Sequence, residues 1–481
     1  MKRNLILLVI TLIASTSYSQ YNPISQILYG DDLYKIGYTI STNGSGNRIA
    51  LIQQGGYPEP TTYAKIYDLI DSIWYQVGEN IIITNQVNSS STIVLNQEGN
   101  RFVVGTSHYS VNDFVKVYEL ESNEWIQIGN TITSEFSNDK MGHAIDINAI
   151  GDLIILGGSE EGYAKTFQLE NNIWFQKGQT ILGETSGDAF GYSVSINSLG
   201  NIIAVTATLD DENGDNAGKL YLFEFVNLGW IQLGNYIYGE EGDKIGIANR
   251  PGNSGVNLNL EGNVVSIGSY THTNIENEVV GMVVVYQFLN GSWIQKGQPV
   301  EGNDENDFFG GTHSINASGD ILVVGDFYAP PEERVVAFSF ENDSWVEHGN
   351  VTVESGSFFG FSVDVNDEGN IIAVGTPDDS GSEPSEARLF EYNGVLNTDN
   401  NFFNNSIALF PNPNKGKFTI KASKTISELQ ISILDVSGKN IFTEKVSNSE
   451  TITINQDLAA GMYFVVTTIS GSKTTLKMIV Q

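Results

Sequence analysis

Hydrophobic and polar residues alternate along most of this chain in short runs. Residues 192–196 (YSVSI) show the alternation, and residues 202–205 (IIAV) form a short apolar run nearby. An apolar–polar alternation of period two predicts strands with one buried face, and a short apolar run is compatible with a fully buried strand. No long segment repeats its apolar residues with the 3.6-residue period of a helix. The pattern therefore predicts an all-β protein with little helix.

A five-residue motif, Asn-x-x-Gly-[Asn/Asp], lies between pairs of these predicted strands. An asparagine side chain can bond to the backbone that follows it, and glycine adopts the positive φ that a tight turn needs. Each motif therefore predicts a hairpin between two strands of one repeated unit. The motif begins at seven asparagines, spaced by 49 to 62 residues: Asn43, Asn96, Asn148, Asn197, Asn259, Asn316 and Asn366.

Tryptophan recurs with the same period. The third predicted strand of each repeat ends in aromatic-x-apolar, and Trp-x-[Gln/Glu]-x-Gly follows in six repeats. An aromatic residue confined to one position of a repeat is typical of packing rather than of ligand binding. We therefore predict that these side chains fill the space between adjacent sheets. All six tryptophans of the chain occupy this position: Trp74, Trp125, Trp174, Trp230, Trp293 and Trp345.

Four strands per repeat, with a repeat of roughly 50 residues, describe the blade of a β-propeller. The seventh repeat lacks its fourth strand, because Asn397 stands where tryptophan is expected. Residues 21–28 read as the missing strand, and pairing them with repeat seven would close the ring and hide its edges. We therefore predict a monomeric seven-bladed β-propeller over residues 20–395, with four-stranded blades, rather than an open solenoid.

The links between repeats carry Phe-Gly pairs at residues 190–191, 309–310 and 359–360. These pairs, with Gly375-Thr-Pro377 in repeat seven, resemble the FG-GAP repeats of integrin-α-type propellers. The calcium loop of that family, Asp-x-[Asp/Asn]-x-Asp-Gly-x-x-Asp, has no counterpart here. The nearest stretch, residues 364–369, lacks the final aspartate and the right spacing. The resemblance therefore implies the fold without the calcium sites.

The N-terminus has the pattern of a signal peptide over residues 1–19. Lys2 and Arg3 precede an apolar segment at residues 5–14, and the predicted cleavage lies between Ser19 and Gln20. The apolar segment is too short to span a bilayer, and no later segment is long and apolar enough. We therefore expect export without a transmembrane segment.

A polar, Asn-rich linker at residues 396–406 precedes a small domain at residues 407–481, which we predict to be an Ig-like β-sandwich. Its motifs resemble the type A sorting domain of the type IX secretion system of Bacteroidetes. The resemblance implies recognition by the secretion machinery, removal by its sortase-like peptidase, and delivery through the periplasm to the outer cell surface or the extracellular space. The motif residues are Pro411, Asn412, Pro413, Gly416, Gly461, Tyr463 and Lys477.

Composition narrows the possible chemistry. The chain has a net charge of −33, and such an acidic surface repels nucleic acid and anionic lipid. Solubility in a salty exterior explains the same acidity. The chain has no cysteine, which excludes disulfides, thiol catalysis and thiolate zinc sites.

No catalytic motif stands out in the sequence, and we predict no catalytic, cofactor or metal residues. The five histidines are scattered among the repeats, and His143 and His313 replace Tyr192 and Val194 of repeat four, which predicts structural roles. Acidic loops read as solvated segments, with calcium as the alternative. These loops are residues 210–215, 240–243, 304–307 and 378–379.

The longest insertions interrupt repeats four and five, at residues 207–218, 247–255 and 271–280, and we expect function where the repeats differ. The leading hypothesis is a non-catalytic binding or adhesion module for an extracellular glycan or protein. The alternatives are a propeller-type carbohydrate hydrolase or lyase, and a passive surface protein. An aromatic platform would favour binding, whereas carboxylates converging in a channel would favour an enzyme.

Overall fold

A computed structural model describes most of the chain after the predicted signal peptide. No helix in the described part of the chain is long and apolar enough to cross a membrane. The regular elements there are strands, so the all-β prediction is confirmed. The described residues are 21–30, 34–55, 60–86, 90–108, 112–137, 139–249, 255–303, 305, 308–328, 332–354, 358–377, 384–392, 407–410, 414–435, 439–456, 458–459, 461–469 and 472–480.

The chain divides into two compact units, Met1–Gly394 and Val395–Gln481. The first unit contains seven antiparallel sheets, numbered here in chain order. Sheet 1 consists of Tyr34–Lys35, Ile40–Thr42, Arg48–Gly55, Thr62–Ile70, Ile73–Gln76 and Ile81–Thr84. Sheet 2 consists of Ser90–Leu95, Arg101–Ser107, Asn112–Glu121 and Glu124–Ser137. Sheet 3 consists of Ala144–Ile147, Leu153–Gly158, Tyr163–Glu170, Ile173–Gln176 and Ile181–Leu182.

The other four sheets follow the same order of strands. Sheet 4 consists of Phe190–Ile196, Ile202–Ala207, Lys219–Val226, Gly229–Gln232 and Ile237–Tyr238. Sheet 5 consists of Val256–Leu258, Val264–Ser269, Met282–Leu289, Ser292–Gln295 and Val300–Glu301. Sheet 6 consists of His313–Ile315, Ile321–Asp326, Glu332–Glu341 and Ser344–Glu354. Sheet 7 consists of Ser362–Val365, Ile371–Thr376, Glu386–Tyr392, Tyr21–Pro23 and Leu28–Tyr29.

The inner strands of the seven sheets form a closed circle. They are the strands that precede each Asn motif: Ile40–Thr42, Ser90–Leu95, Ala144–Ile147, Phe190–Ile196, Val256–Leu258, His313–Ile315 and Ser362–Val365. Each contacts the inner strand of the next sheet, and that of sheet 7 contacts that of sheet 1. A circle of radially stacked antiparallel sheets is a β-propeller, so the predicted fold class is confirmed.

The N-terminus completes sheet 7, as the sequence predicts. Tyr21 pairs with Tyr392, and Leu28 pairs with Ala387. Tyr21 thus pairs with the end of the third strand in the same register as the tryptophans of other sheets. In sheet 4, for example, Trp230 pairs with Phe225. The ring of Tyr21 lies 5.2 Å from that of Tyr392, and Tyr21 is 2% exposed. Tyr21 therefore takes the position of the missing seventh tryptophan.

The fourth strand differs from the prediction in several sheets. In sheet 4 it is interrupted, with one part at Gly229–Gln232 and another at Ile237–Tyr238. Between them Gly234 has φ of 74°, which breaks the extended conformation. The fourth strand that the sequence predicts for each repeat therefore consists of two parts in sheet 4.

The motif Trp-x-[Gln/Glu]-x-Gly joins successive sheets. A Cβ atom on Gly129 would lie 2.5 Å from the Trp174 ring, so glycine leaves the space that the next tryptophan fills. The indole N–H of Trp174 donates to the carbonyl of Ile128 at 3.0 Å. The same two contacts recur between Gly78 and Trp125, Gly234 and Trp293, and Gly297 and Trp345.

Apolar cores lie between neighbouring sheets. Between sheets 3 and 4, Ile155 and Ala164 of one sheet pack with Val194, Val205 and Trp230 of the next. Each blade thus buries apolar side chains against its neighbour, and this burial is the main favourable contribution to the stability of the ring.

The second unit is a separate five-stranded sheet. Its strands are Ile407–Phe410, Lys417–Asp435, Asn440–Asn455, Gly461–Ile469 and Ser472–Val480. Its core includes Phe418, Ile431, Val465 and Met478. The register of the long strand Lys417–Asp435 against its neighbour shifts between Lys421 and Ile426. The sandwich arrangement of this unit stays a prediction.

Candidate functional site

A channel runs between the inner strands of the first unit and encloses about 110 Å³. The residue two positions before each motif asparagine is polar in six of the seven sheets: Ser41, Asp146, Ser195, Asn257, Ser314 and Asp364, with Val94 in sheet 2. The polar members bond to neighbouring inner strands. For example, the hydroxyl of Ser41 accepts a hydrogen bond from Leu95 N at 3.1 Å, and Asn257 Nδ2 donates to the carbonyl of His313 at 2.9 Å. The channel lining therefore ties the blades together.

Two partly buried carboxylates, those of Asp146 and Asp364, belong to this lining. Asp146 accepts hydrogen bonds from the backbone of Ile196 at 2.8 Å and from the Ser195 hydroxyl at 3.0 Å. Asp364 accepts from the backbone of Thr42 at 2.8 Å and from the Ser314 hydroxyl at 2.9 Å.

Burial raises the pKa of both aspartates to about 6, against the lowering effect of the hydrogen bonds that each carboxylate accepts. The bonds to the inner strands occupy both carboxylates. They have the geometry of structural links rather than of a free acid–base pair.

The Asn motifs follow the inner strands and are linked to one another around the ring. The side-chain oxygen of Asn197 accepts from the backbone of Asn201 at 3.0 Å and of Ile202 at 2.9 Å, while its Nδ2 donates to Asn201 Oδ1. This geometry explains why the motif ends in Asn or Asp. The residue after the motif asparagine also bonds to the next turn, as Ser198 N does to the carbonyl of Leu260 at 3.0 Å. These bonds form a belt that closes where Asp367 N donates to the carbonyl of Gly44.

Aromatic side chains gather at the end of the inner strands opposite to the Asn motifs. We call them the aromatic patch: Tyr270, Phe308, Phe327, Tyr328, Phe358 and Phe361. They come from the ends of the second strands and the starts of the inner strands in sheets 5, 6 and 7. Tyr328 is 52% exposed, and its ring lies nearly parallel to that of Phe358, 6.0 Å away. The patch continues inward to buried Phe327, whose ring lies 5.0 Å from that of Phe361.

Two members of the patch have a strained backbone. Phe308 and Phe358 have φ of 59° and 61°, in the left-handed region that bulky residues rarely adopt. Other repeats also have a positive φ at this position, before the x-Gly pair, but with Lys140, Ala189 or Lys244. Only the repeats of sheets 6 and 7 place an aromatic ring there, among the positions that the structure describes. Strained, unusual residues cluster at functional sites, so this difference marks the patch.

The histidines show no common site. His313 is buried in the inner strand of sheet 6, and neither ring nitrogen makes a hydrogen bond of acceptable geometry within the described part of the chain. Burial lowers the pKa of His313 to about 4, although the backbone of Ser266 and Gly310 opposes the shift. His143 lines the channel, and its carbonyl accepts from the Thr92 hydroxyl at 2.9 Å. His348 contacts Tyr21, with Nε2 3.0 Å from the phenol oxygen.

The acidic loop at residues 210–215 folds around a lysine. Lys219 is buried, and its ammonium group lies 2.6 Å from Glu212 and 2.8 Å from Glu184. The same group lies 4.1 Å from the centre of the Tyr236 ring. These contacts anchor the insertion of sheet 4. The loops at 304–307 and 378–379 lie largely or wholly outside the described residues.

The described part of the chain has no group of three or more His, Asp or Glu side chains placed to hold a metal ion. Calcium binding by the acidic loops stays an alternative prediction.

The sorting-motif residues that the structure describes support the second sheet. Gly416 has φ of 81° and bonds through its carbonyl to Gln456 N at 2.8 Å. Gly461 begins a strand, and the Tyr463 hydroxyl donates to the carbonyl of Ala459 at 2.9 Å. Lys477 lies in the last strand. Pro411, Asn412 and Pro413, like the predicted cleavage site at Ser19 and Gln20, lie outside the described residues.

Two family models match parts of the chain. Residues 408–481 match a secretion system C-terminal sorting domain, and residues 183–223 match an FG-GAP repeat. No curated protein sequence matches the chain.

Several solved structures are similar at low identity. Kuenenia stuttgartiensis hydrazine synthase is 12% identical with a TM-score of 0.49, over 75% of this chain and 97% of that chain. A putative 6-phosphogluconolactonase from Bacteroides uniformis is 11% identical with a TM-score of 0.47, over 74% and 95%. The periplasmic gluconolactonase PpgL of Pseudomonas aeruginosa is 10% identical with a TM-score of 0.47, over 74% and 88%. Likenesses at this level carry no conclusion about activity.

The two family matches thus confirm the resemblance to FG-GAP repeats and the resemblance to a C-terminal sorting domain. The sheets of the first unit form a propeller, residues 183–223 of which match the FG-GAP repeat. This chain is an all-β propeller protein with an FG-GAP repeat and a C-terminal sorting domain, and it is exported by type IX secretion to the cell surface or the extracellular space.

Proposed function

We propose that this exported propeller is a non-catalytic binding module that holds a neutral glycan on the aromatic patch. The observation that carries the proposal is the pair Phe308 and Phe358, two aromatic rings on strained backbone beside the exposed Tyr328. Aromatic rings offer flat apolar faces on which the C–H face of a sugar ring can stack, and tyrosine adds a hydroxyl for hydrogen bonding.

A glycan suits the patch better than a protein does. A stable protein interface buries about 800 Å² on each partner, whereas only Tyr328 among the patch residues is more than half exposed. The net charge of −33 disfavours acidic polymers through long-range repulsion. The remaining choice, an uncharged polysaccharide or oligosaccharide, matches both the size and the charge.

Catalysis in the channel has less support. Asp146 and Asp364 would be the acids of a channel enzyme, but both accept hydrogen bonds from neighbouring inner strands. A general acid and base must be free to exchange protons with a bound substrate. Turnover of a glycan by the purified protein, abolished by Asp146→Asn or Asp364→Asn, would favour the enzyme instead.

Binding assays with neutral polysaccharides test the proposal. The purified exported protein would be titrated with soluble α-glucan, β-glucan, xylan and mannan in affinity gels and by calorimetry. We expect at least one to bind, and Tyr328→Ala or Phe358→Ala to weaken binding by roughly tenfold, or about 1.4 kcal/mol. Leu199→Ala is the matched control, because Leu199 is 75% exposed in an Asn motif at the other end of the inner strands. Absence of binding to all four, or equal loss in the control, would contradict the proposal.

A further inference from the structure

A second cavity lies between the outer edge of sheet 4 and sheet 5. It encloses about 400 Å³, within the range of small-ligand sites. One of the segments around it is not shared by the other repeats: the insertion at residues 271–280. We call it the His272 pocket, defined by Tyr238, Glu240, Asp243, His272, Tyr286 and Glu301.

His272 is held in one orientation. Its Nδ1 donates to Asp243 Oδ1 at 2.8 Å, and the Asp243 carboxylate also accepts from Glu240 N at 2.8 Å. Asp243 is 2% exposed. The hydrogen bond from His272 to Asp243 raises the pKa of His272, against the effect of burial. The protonated form that this shift favours carries a proton on each nitrogen, so that Nε2 is a donor.

The other ring nitrogen faces a gap. His272 Nε2 lies 3.9 Å from Glu301 Oε1, which is too long for a hydrogen bond. Glu301 is half exposed, so it is open to a ligand. The Tyr286 hydroxyl has no hydrogen-bond partner among the described residues, although its ring lies in the cavity wall. With His272 protonated, the pocket thus presents one donor at a fixed position, one acceptor and the phenol of Tyr286.

A sugar hydroxyl matches this set of groups. A hydroxyl accepts one hydrogen bond while it donates another, so one such group can accept from His272 Nε2 and donate to Glu301. The apolar walls, formed by Ile245, Ile267 and Met282, suit the C–H face of a sugar ring. The negative charge of Asp243 balances the positive charge of protonated His272. The carboxylates of Glu240 and Glu301 then give the pocket a net negative charge, which disfavours an acidic sugar.

We propose that the His272 pocket is a second subsite, which binds one uncharged monosaccharide unit through a hydroxyl shared by His272 and Glu301. The inference rests on the proposed glycan-binding function, because it names a second place where the same class of ligand is held. It involves no contact with the aromatic patch, so the two sites can be tested separately.

Titration with small sugars tests the second site. The full mature chain would be titrated by calorimetry and ligand-observed NMR with the methyl glycosides of glucose, galactose, mannose and N-acetylglucosamine, and with glucuronate. We expect one neutral glycoside to bind, glucuronate to bind at least tenfold more weakly, and Glu301→Gln and His272→Gln each to weaken the neutral sugar at least tenfold. Glu276→Gln, which removes an exposed charge from the same insertion, and Phe358→Ala should leave this binding unchanged.

The outcomes separate the two proposals. Unchanged binding in both Glu301→Gln and His272→Gln, or equal affinity for glucuronate, would overturn the pocket. Binding of a polysaccharide that depends on Phe358, without any binding of the small glycosides, would overturn the pocket and leave the proposed function standing. Failure of every sugar, large and small, would overturn both. Since Glu301 is half exposed, Glu301→Gln should fold even if a change at His272 disturbs the insertion.

Discussion

His313 occupies a position that aliphatic side chains fill in the other sheets. Its counterparts, three residues before each motif asparagine, are Ile40, Ile93, Ile145, Val194, Val256 and Val363. The imidazole is 2% exposed and packed within the ring of inner strands. Two polar nitrogens without well-formed hydrogen bonds make this a costly residue in an otherwise apolar position.

We expect His313→Val to stabilise the protein, and to do so most at acidic pH. Burying an unsatisfied polar group costs about 1–3 kcal/mol, which valine does not incur. The pKa of His313 is lowered to about 4, so as pH falls below about 6.5 the unfolded chain takes up a proton that the folded chain refuses. Stability is therefore lost between pH 6.5 and 4, by about 2 kcal/mol at pH 5. Urea denaturation at pH 7.5 and pH 5 would measure both effects.

The control for this prediction is the reciprocal change, Val363→His, at the equivalent position of sheet 7. It should destabilise the protein, with a larger loss at pH 5. Asp146 and Asp364 act in the opposite sense, because their pKa of about 6 favours the folded state as pH falls toward 4. The comparison must therefore be between variant and wild type at each pH. Equal stability of His313→Val and wild type at both pH values would contradict the prediction.

At the scale of elements, sheets 1 to 5 each receive the tryptophan of the next sheet at a glycine. A comparison of Gly129 with Gly162 separates the effect of this packing from that of backbone conformation. The two glycines have nearly the same φ, 69° and 70°. A Cβ on Gly129 would meet the Trp174 ring, whereas one on Gly162 would meet nothing within 4 Å.

We expect Gly129→Ala to destabilise more than Gly162→Ala. Both changes place a side chain in the left-handed region, at a cost of about 1–2 kcal/mol. Gly129→Ala should lose a further 1–3 kcal/mol or so, because Trp174 must move out of a packed core. The free energy of unfolding in urea and the tryptophan fluorescence of the folded proteins would measure the difference. Equal losses in the two variants would show that the tryptophan contact contributes little.

The sequence predicts the repeated elements well because each is encoded within a few residues. The Asn motif contains its own hydrogen-bonding partners, and the tryptophan and glycine recur at a fixed spacing. The sequence does not predict the aromatic patch, because Phe308, Tyr328 and Phe358 meet only when two sheets pack. His272 and Asp243, 29 residues apart, form a pair only after the insertion folds back. The one available signal was that phenylalanine replaces lysine or alanine at residues 308 and 358.

At the scale of the whole molecule, we expect export to depend on the second unit. Residues 408–481 match a secretion sorting domain and form a compact unit apart from the propeller. We expect a chain without residues 407–481 to fold as a propeller but to remain in the periplasm. Cell fractionation and immunoblotting would locate it, with the full chain as the control. Release of the truncated chain into the medium would contradict the prediction.

Tyr21 lies where the two ends of the ring meet: its ring is 5.2 Å from that of Tyr392 at a tilt of 51°, and its hydroxyl oxygen is 3.0 Å from Nε2 of His348 in the neighbouring sheet. Because the strand Tyr21–Pro23 joins the two ends of the propeller, we expect Tyr21→Ala to cost about 3–5 kcal/mol, as for other large aromatic residues in cores. Tyr29→Ala is the control, since Tyr29 belongs to the same N-terminal segment but is 53% exposed. Urea denaturation would measure stability, and hydrogen exchange would show whether protection falls first in Ile371–Thr376 and Glu386–Tyr392 of sheet 7. Similar losses in Tyr21→Ala and Tyr29→Ala would mean that the ring does not depend on this contact.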